Sequence, residues 1–339
     1  MRHAHPQQPL NAADLETVLN ARERSPLSAV AHSQEFWILI AVVVIGAIVG
    51  TIAPNFLTGN NISNIANNFC FTALIAIGMT PVIMTGGIDI SVGSTLGLTG
   101  VTLGLVFSAG HSFAFGVGSV LIAGALVGLV NGLFIAYLKL PPFIVTLAMM
   151  SMARALTLVV TNNQVVYDFG PASPTLLALG SGKLLGLPNV LWAVLLLAAT
   201  MQFVLHMTRW GRYVRAIGGN EKAARMTGIP VDAIKVSVYM LVGAITGLTA
   251  LFLVGWLGAA TNALGQGLEL QVIAGTVIGG ANLLGGFGSA IGAVIGSLLL
   301  EVIRNALLLA GVNPFWQGLF VGAFILFAVL LERFRALRS

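Results

Sequence analysis

From Phe36 to Ile88 the chain carries no Asp, Glu, Lys, Arg or His. A helix buried in a soluble core accounts for about 10–14 apolar residues, whereas crossing hydrocarbon takes about 20. The run is therefore read as two membrane spans. The rest of the chain is similar, with 57% apolar and only 8% charged residues over 339 positions, and mean hydropathy is +0.95. A soluble domain averages about 25% charged residues. Too little charge remains to coat a water-facing surface, so the fold class is an all-helical integral membrane protein. The net charge of +5 does not point to nucleic acid, because basic residues in a membrane protein set orientation. Cys70 is the single cysteine, which excludes a disulfide framework and a cysteine-based metal site.

About ten spans fit the pattern. The first two break at Pro54 to Asn64, a cluster of turn formers. The third and fourth run from Ser91 to Gly110 and from Phe113 to Leu138. A fifth opens at Pro141 and Pro142, since proline is tolerated in a first helical turn, and ends near Thr161. The weakly apolar interval Asn162 to Pro188 is an extramembrane loop with a short interfacial helix. A sixth span covers Asn189 to Met207, a polar loop covers Thr208 to Asp232, and a seventh runs from about Ala233 to Leu257. Leu270 to Leu300 is interrupted by glycines from Gly279 to Gly288 and is divided into an eighth span and the start of a ninth. Phe315 to Leu331 forms the tenth. The domain layout is a tail at 1–35, a membrane domain at 36–332 and a tail at 333–339.

With both termini in the cytoplasm, the inner segments hold Arg2, Arg22, Arg24, Lys139, Arg209, Arg212, Arg215, Lys222, Arg225, Lys235, Arg333, Arg335 and Arg338, which is 13 of the 16 basic residues. Outer loops hold only Lys183, and Arg154 and Arg304 lie within spans. This asymmetry fits the positive-inside rule. All five tryptophans, Trp37, Trp192, Trp210, Trp256 and Trp316, fall near span ends, where an aromatic belt is expected.

Enzyme chemistry is absent from the sequence. No H-E-x-x-H or G-x-S-x-G motif occurs, and the one Gly-Lys pair, Gly182 and Lys183, is followed by Leu184 rather than by the Ser or Thr of a phosphate-binding loop. No metal or cofactor is implied. If transport is driven by ATP, another chain must hydrolyse it.

Within the loop at 208–232, Asn220 is a good N-cap, Glu221 suits the positive start of a helix, Arg225 suits its end, and Gly228 with Pro230 stops it. A two-turn helix results, with Ala223, Ala224 and Met226 as a low-profile surface. It is either a partner-docking element or a capped connector.

Taken together, the motifs resemble the permease subunits of bacterial ABC importers for simple sugars, of the ribose, xylose and arabinose type. The resemblance covers Glu35 to Leu331. It rests on Gly78 to Ile83 leading into Thr85-Gly86-Gly87-Ile88-Asp89-Ile90-Ser91-Val92-Gly93-Ser94, on Gly128 to Gly132, on Leu140 to Leu147, on Gly219 to Gly228, and on Gly279-Gly280 with Leu284-Gly285-Gly286. Pro81 stands where the pattern has an aliphatic residue. The resemblance implies a permease in the bacterial inner membrane that pairs with a second copy or a paralogue. It also implies that cytoplasmic ATPase subunits dock through Asn220, Glu221, Lys222, Ala223, Ala224, Arg225, Met226, Thr227 and Gly228, and that a periplasmic binding protein delivers the sugar. Permeases for branched-chain amino acids, nucleosides or signalling sugars share this architecture, and an ion-coupled secondary transporter is the rival class.

Asp89 either caps the third span or lines the path as a gate, because a charge at membrane depth needs a role. Arg154 lacks a local partner and must face a cavity, another helix's carbonyls or the interface, either as a path or gate residue or in helix packing or snorkelling. Asn131 and Asn282 are read as bonding to the backbone of neighbouring helices, with contact to solute as the other role. Glu301 and Arg304, three residues apart on the ninth span, are expected to form a structural ion pair. Gly86-Gly87 with Gly93-Ser94 is echoed by Gly279-Gly280 with Gly288-Ser289, a faint internal repeat.

Overall fold

The computed structural model describes residues 34–313, together with 316, 318, 319, 322 and 323. The tail before residue 34, the expected tenth span as a continuous helix, and the tail at 333–339 lie outside the described residues. Twelve α-helices follow in order: α1 Gln34–Ile52, α2 Gly59–Met84, α3 Val92–Ser108, α4 Phe113–Ala136, α5 Pro142–Thr161, α6 Ser173–Ser181, α7 Asn189–Met207, α8 Arg209–Gly219, α9 Glu221–Met226, α10 Val231–Leu257, α11 Leu268–Ile278 and α12 Ala290–Leu309. A two-residue hairpin pairs β1, Lys183–Leu184, with β2, Leu187–Pro188. Among the described residues seven helices, α1, α2, α4, α5, α7, α10 and α12, are long and apolar enough to cross a membrane.

Three expectations change. The second helix starts at Gly59, inside the expected turn cluster, where Asn61 faces another helix: Asn61 and Asn305 of α12 exchange amide hydrogen bonds at 2.8 and 2.9 Å. The loop at 208–232 holds a second helix, α8, which buries Gly211, Val214 and Ile217 along one side. The helix of the expected eighth span is short: α11 has 11 residues, about 16 Å of helix, and stops where the glycine run begins. Irregular backbone at membrane depth is tolerated where protein surrounds it. The segment before α11 meets that condition, with Ala260 and Leu264 buried and Ala260 paired in a short bridge with Val166.

α2 and α10 form the centre of the bundle, and α1 lies at its edge with Ile38 as its single buried residue. The most extensive helix contact is between α4 and α10. A Cβ on Gly124 would stand 2.1 Å from the Gly243 carbonyl oxygen, one on Gly128 would stand 2.0 Å from that of Tyr239, and one on Gly247 would stand 2.1 Å from that of Val120. The two backbones touch over three turns with no side chain between them, as small residues permit.

Both echoed glycine pairs, Gly86-Gly87 and Gly279-Gly280, stand in turns that follow helices. After α2 the chain turns through Gly86 at φ +76° and enters α3 through Ser91; after α11 it turns through Gly280 at φ +99° and enters α12 through Ser289. Glycine is needed at both, since other residues pay a steric penalty at positive φ. The two connections meet, with the Gly286 N–H donating to the Met84 carbonyl at 2.9 Å.

The α4–α10 contact makes Gly128→Val an informative change. Its branched side chain meets backbone that cannot rotate away, so thermal unfolding in detergent should show a loss of at least about 2 kcal/mol. Gly118→Val, where nothing lies within 4 Å of a new Cβ, should leave the midpoint unchanged.

Candidate functional site

Three polar groups stand out from the apolar bundle. The first surrounds Asp89, which the turn between α2 and α3 carries into the interior, where the residue is 2% exposed. Ser91 donates its N–H at 2.8 Å and its hydroxyl at 2.6 Å to Asp89 Oδ1. Asn131 of α4 donates its amide N–H to Asp89 Oδ2 at 3.3 Å and to Ser91 Oγ at 3.0 Å. The carboxylate thus accepts from three donors, which is how a buried charge without a basic partner is accommodated. Helix-entry capping and the α4 contact are one network. The expected bonding of Asn131 to neighbouring backbone is corrected, since its amide meets side chains. Sequence reading missed Tyr239 of α10: its ring covers Gly87, where an added Cβ would stand 2.5 Å from the hydroxyl oxygen. Neither the Tyr239 hydroxyl nor Asn131 Oδ1 has a hydrogen-bond partner among the described residues.

The second group lies toward the opposite end of α5. Arg154 donates to the carbonyls of Asn262 and Leu264 at 2.6 and 3.0 Å, so it anchors the irregular segment before α11. Asn262 accepts from the Thr161 hydroxyl at 3.0 Å and donates to Asn163 Oδ1 at 2.8 Å. Glu269 of α11 lies over Gly93, close enough that a Cβ there would stand 2.2 Å from Glu269 Oε2.

Asn282 falls between α11 and α12 and not within a helix. Its Oδ1 accepts from the Leu284 N–H at 2.7 Å, so the expected interhelical role gives way to folding its own turn. Glu301 and Arg304 form an ion pair at 3.3 Å.

The third group is the end of the bundle that carries α8 and α9. Asn220 Oδ1 accepts from the Ala223 N–H at 3.0 Å, an N-cap as the sequence suggests. Lys222, Ala223 and Met226 face outward, and Met226 is 88% exposed. Ala224 corrects the expected surface: it is 4% exposed and packs into the core, because the helix needs one small residue to lie flat on the bundle. Arg225 makes a two-pronged ion pair with Asp232 of α10 at 2.8 Å and a second pair with Glu221 at 3.1 Å. Lys235 of α10 pairs with Glu221 at 2.6 Å, and Lys139, from the turn between α4 and α5, pairs with Asp232. Burial pushes the Glu221 carboxyl up, but the hydrogen bonds and charges of Lys235 and Arg225 outweigh it and hold the group below the usual carboxylate range. Sequence reading placed these charges on one side without pairing them, because the partners come from three separate segments.

Comparison with known proteins agrees with this picture. Residues 61–329 match the family described as branched-chain amino acid transport system / permease component. The chain is 40% identical over 295 residues to the ribose import permease protein RbsC of Escherichia coli strain K12, covering 87% of this chain and 92% of that one. It is 34% identical to the L-arabinose ABC transporter permease protein AraH of Azospirillum brasilense, over 88% and 87% of the two chains. It is 33% identical to the autoinducer 2 import system permease protein LsrC of Escherichia coli strain K12 / DH10B, over 90% and 88%. No solved structure matches. On likeness that spans nearly the whole chain, this protein belongs to the permease family of ABC importers that includes RbsC and AraH, a family of multi-pass, non-catalytic sugar-transport subunits.

Proposed function

We propose that this chain forms the membrane path for a ribose-like monosaccharide in a bacterial inner-membrane importer, moving it inward by alternating access. In this reading the chain has ten spans with both termini cytoplasmic, and it works as a dimer with a second copy or a paralogue. Cytoplasmic ATPases dock on α9 through Asn220 to Gly228, and a periplasmic binding protein supplies the sugar. The observation that carries the reading is α9 itself: a capped helix too short to span anything, lying flat on the end of the bundle through Ala224, with Lys222, Ala223 and Met226 presented outward. The basic residues of 208–235 cluster at the same end, in line with a cytoplasmic face. The sugar assignment draws on likeness to ribose and L-arabinose permeases. The bundle holds few strong sugar-binding groups, which suits a conduit whose specificity resides in a separate binding protein.

Asp89 and its three donors are proposed as a gate element at the same end of the bundle, and Arg154 as the support of the opposite end. A carboxylate at this depth that serves only as a helix entry would be a costly choice when serine alone suffices. Asn282 and Asn131 act through the turns they hold.

Two experiments test this. In proteoliposomes with the ATPase subunit, Met226→Asp should reduce ATPase capture at least about tenfold, as expected for an exposed anchor at the centre of an interface, with unchanged membrane insertion; normal capture would remove α9 from the docking role. Asp89→Asn keeps the shape of the side chain and removes its charge, so uptake of labelled ribose should fall about tenfold while capture is retained, the range expected when charged hydrogen bonds are weakened. Full uptake would leave Asp89 a helix-entry residue only.

A further inference from the structure

We propose that the ion pairs of α9 make it one rigid body with α10 and α4, so that an ATPase acting on α9 drives the Asp89 turn through α10 rather than through α8. This rests on the reading of α9 as the docking helix. The connection is continuous. Arg225 and Glu221 are locked to Asp232 and Lys235 in the first turns of α10, and Lys139 ties the turn after α4 to the same Asp232. The linked pairs share partners, so neither helix can rotate without breaking several contacts at once, unlike an isolated exposed pair worth little. From there α10 and α4 are in backbone contact at Gly128 and Tyr239 and again at Gly124 and Gly243, leaving no side chain layer in which to slide. Both helices touch the Asp89 turn: Asn131 of α4 holds Asp89 and Ser91, and the Tyr239 hydroxyl of α10 lies over Gly87. A displacement of α9 therefore reaches that turn from two sides.

The competing route is α8. Its end at Gly218 lies against the Met84 carbonyl, where an added Cβ would stand 1.8 Å from the oxygen. Yet α8 is itself fastened to other elements: Arg215 donates to the Leu205 carbonyl of α7 at 2.7 Å, and Trp210 donates to Ser237 of α10 at 2.8 Å.

Hydrogen–deuterium exchange on the full chain assembled with its ATPase in nanodiscs, with and without ATP and vanadate, separates the routes without needing the transported sugar. Protection of 221–228 by the ATPase reports docking; its absence in the native protein would overturn the docking reading, and the proposal with it. Given docking, ATP should change exchange at 85–91. That change should shrink about tenfold in Asp232→Asn and in Arg225→Gln, within the range of energetic coupling between sites, and the double variant should lose less than the sum of the two single ones, because they share the Arg225–Asp232 pair. Asp232→Asn lies off α9, so its protection of 221–228 should remain native. An undiminished change in Asp232→Asn overturns the proposal. Additive losses in the double variant, or lost docking in Asp232→Asn, overturn it equally.

Discussion

The backbone contact between α4 and α10 is the constraint on which the rest of the bundle depends. In lipid there is no hydrophobic force to press helices together, so association depends on close packing and interhelical hydrogen bonds. Where Gly124, Gly128, Gly243 and Gly247 remove the side chains, α10 can lie deep enough to touch α2 and α3 as well. That depth brings Tyr239 over Gly87 and places Asn131 beside Asp89. The polar network and the packing are thus one arrangement: separating the two helices would strip the buried Asp89 carboxyl of its Asn131 donor.

The polar groups at the two ends follow the same physics. A low dielectric makes every unsatisfied donor or charge costly, and the chain answers with local solutions. Arg154 is spent on two carbonyls of an irregular segment that no helix ladder could satisfy. Asn61 and Asn305 satisfy each other across α2 and α12. At the end with α8 and α9, where charge is no longer prohibitive, the chain uses full ion pairs instead, and Glu221 and Asp232 each serve two cations. Stiffness therefore comes from glycine contacts within the bundle and from charge at its edge.

Much of this was legible in the sequence, and for identifiable reasons. Helix boundaries such as Asn189 to Met207 and the start at Pro142 were readable because apolar runs end at residues that cannot continue them. Asn220 was readable as a cap because capping is a matter of three adjacent residues. The inward face of Ala224 was not, since alanine is equally at home on either side of a short helix and only the underlying bundle selects one. The shortness of α11 was also hidden: its composition is as apolar as that of a span, and what stops it is a turn that has another turn to rest on.

By itself, then, the sequence determined that the chain is helical and membrane-embedded, where most helices begin and end, and which residues are too polar to be left alone at depth. Those are local properties, set by hydropathy, caps and breakers within a few residues. Tertiary structure alone decided the partners: Asp89 with Asn131, 42 positions away, Arg154 with carbonyls more than 100 positions away, and Lys139 with Asp232. The reason is that a glycine or a charge specifies that a neighbour must come close without specifying which one, and only the docking of α10 against α4 settles the choice.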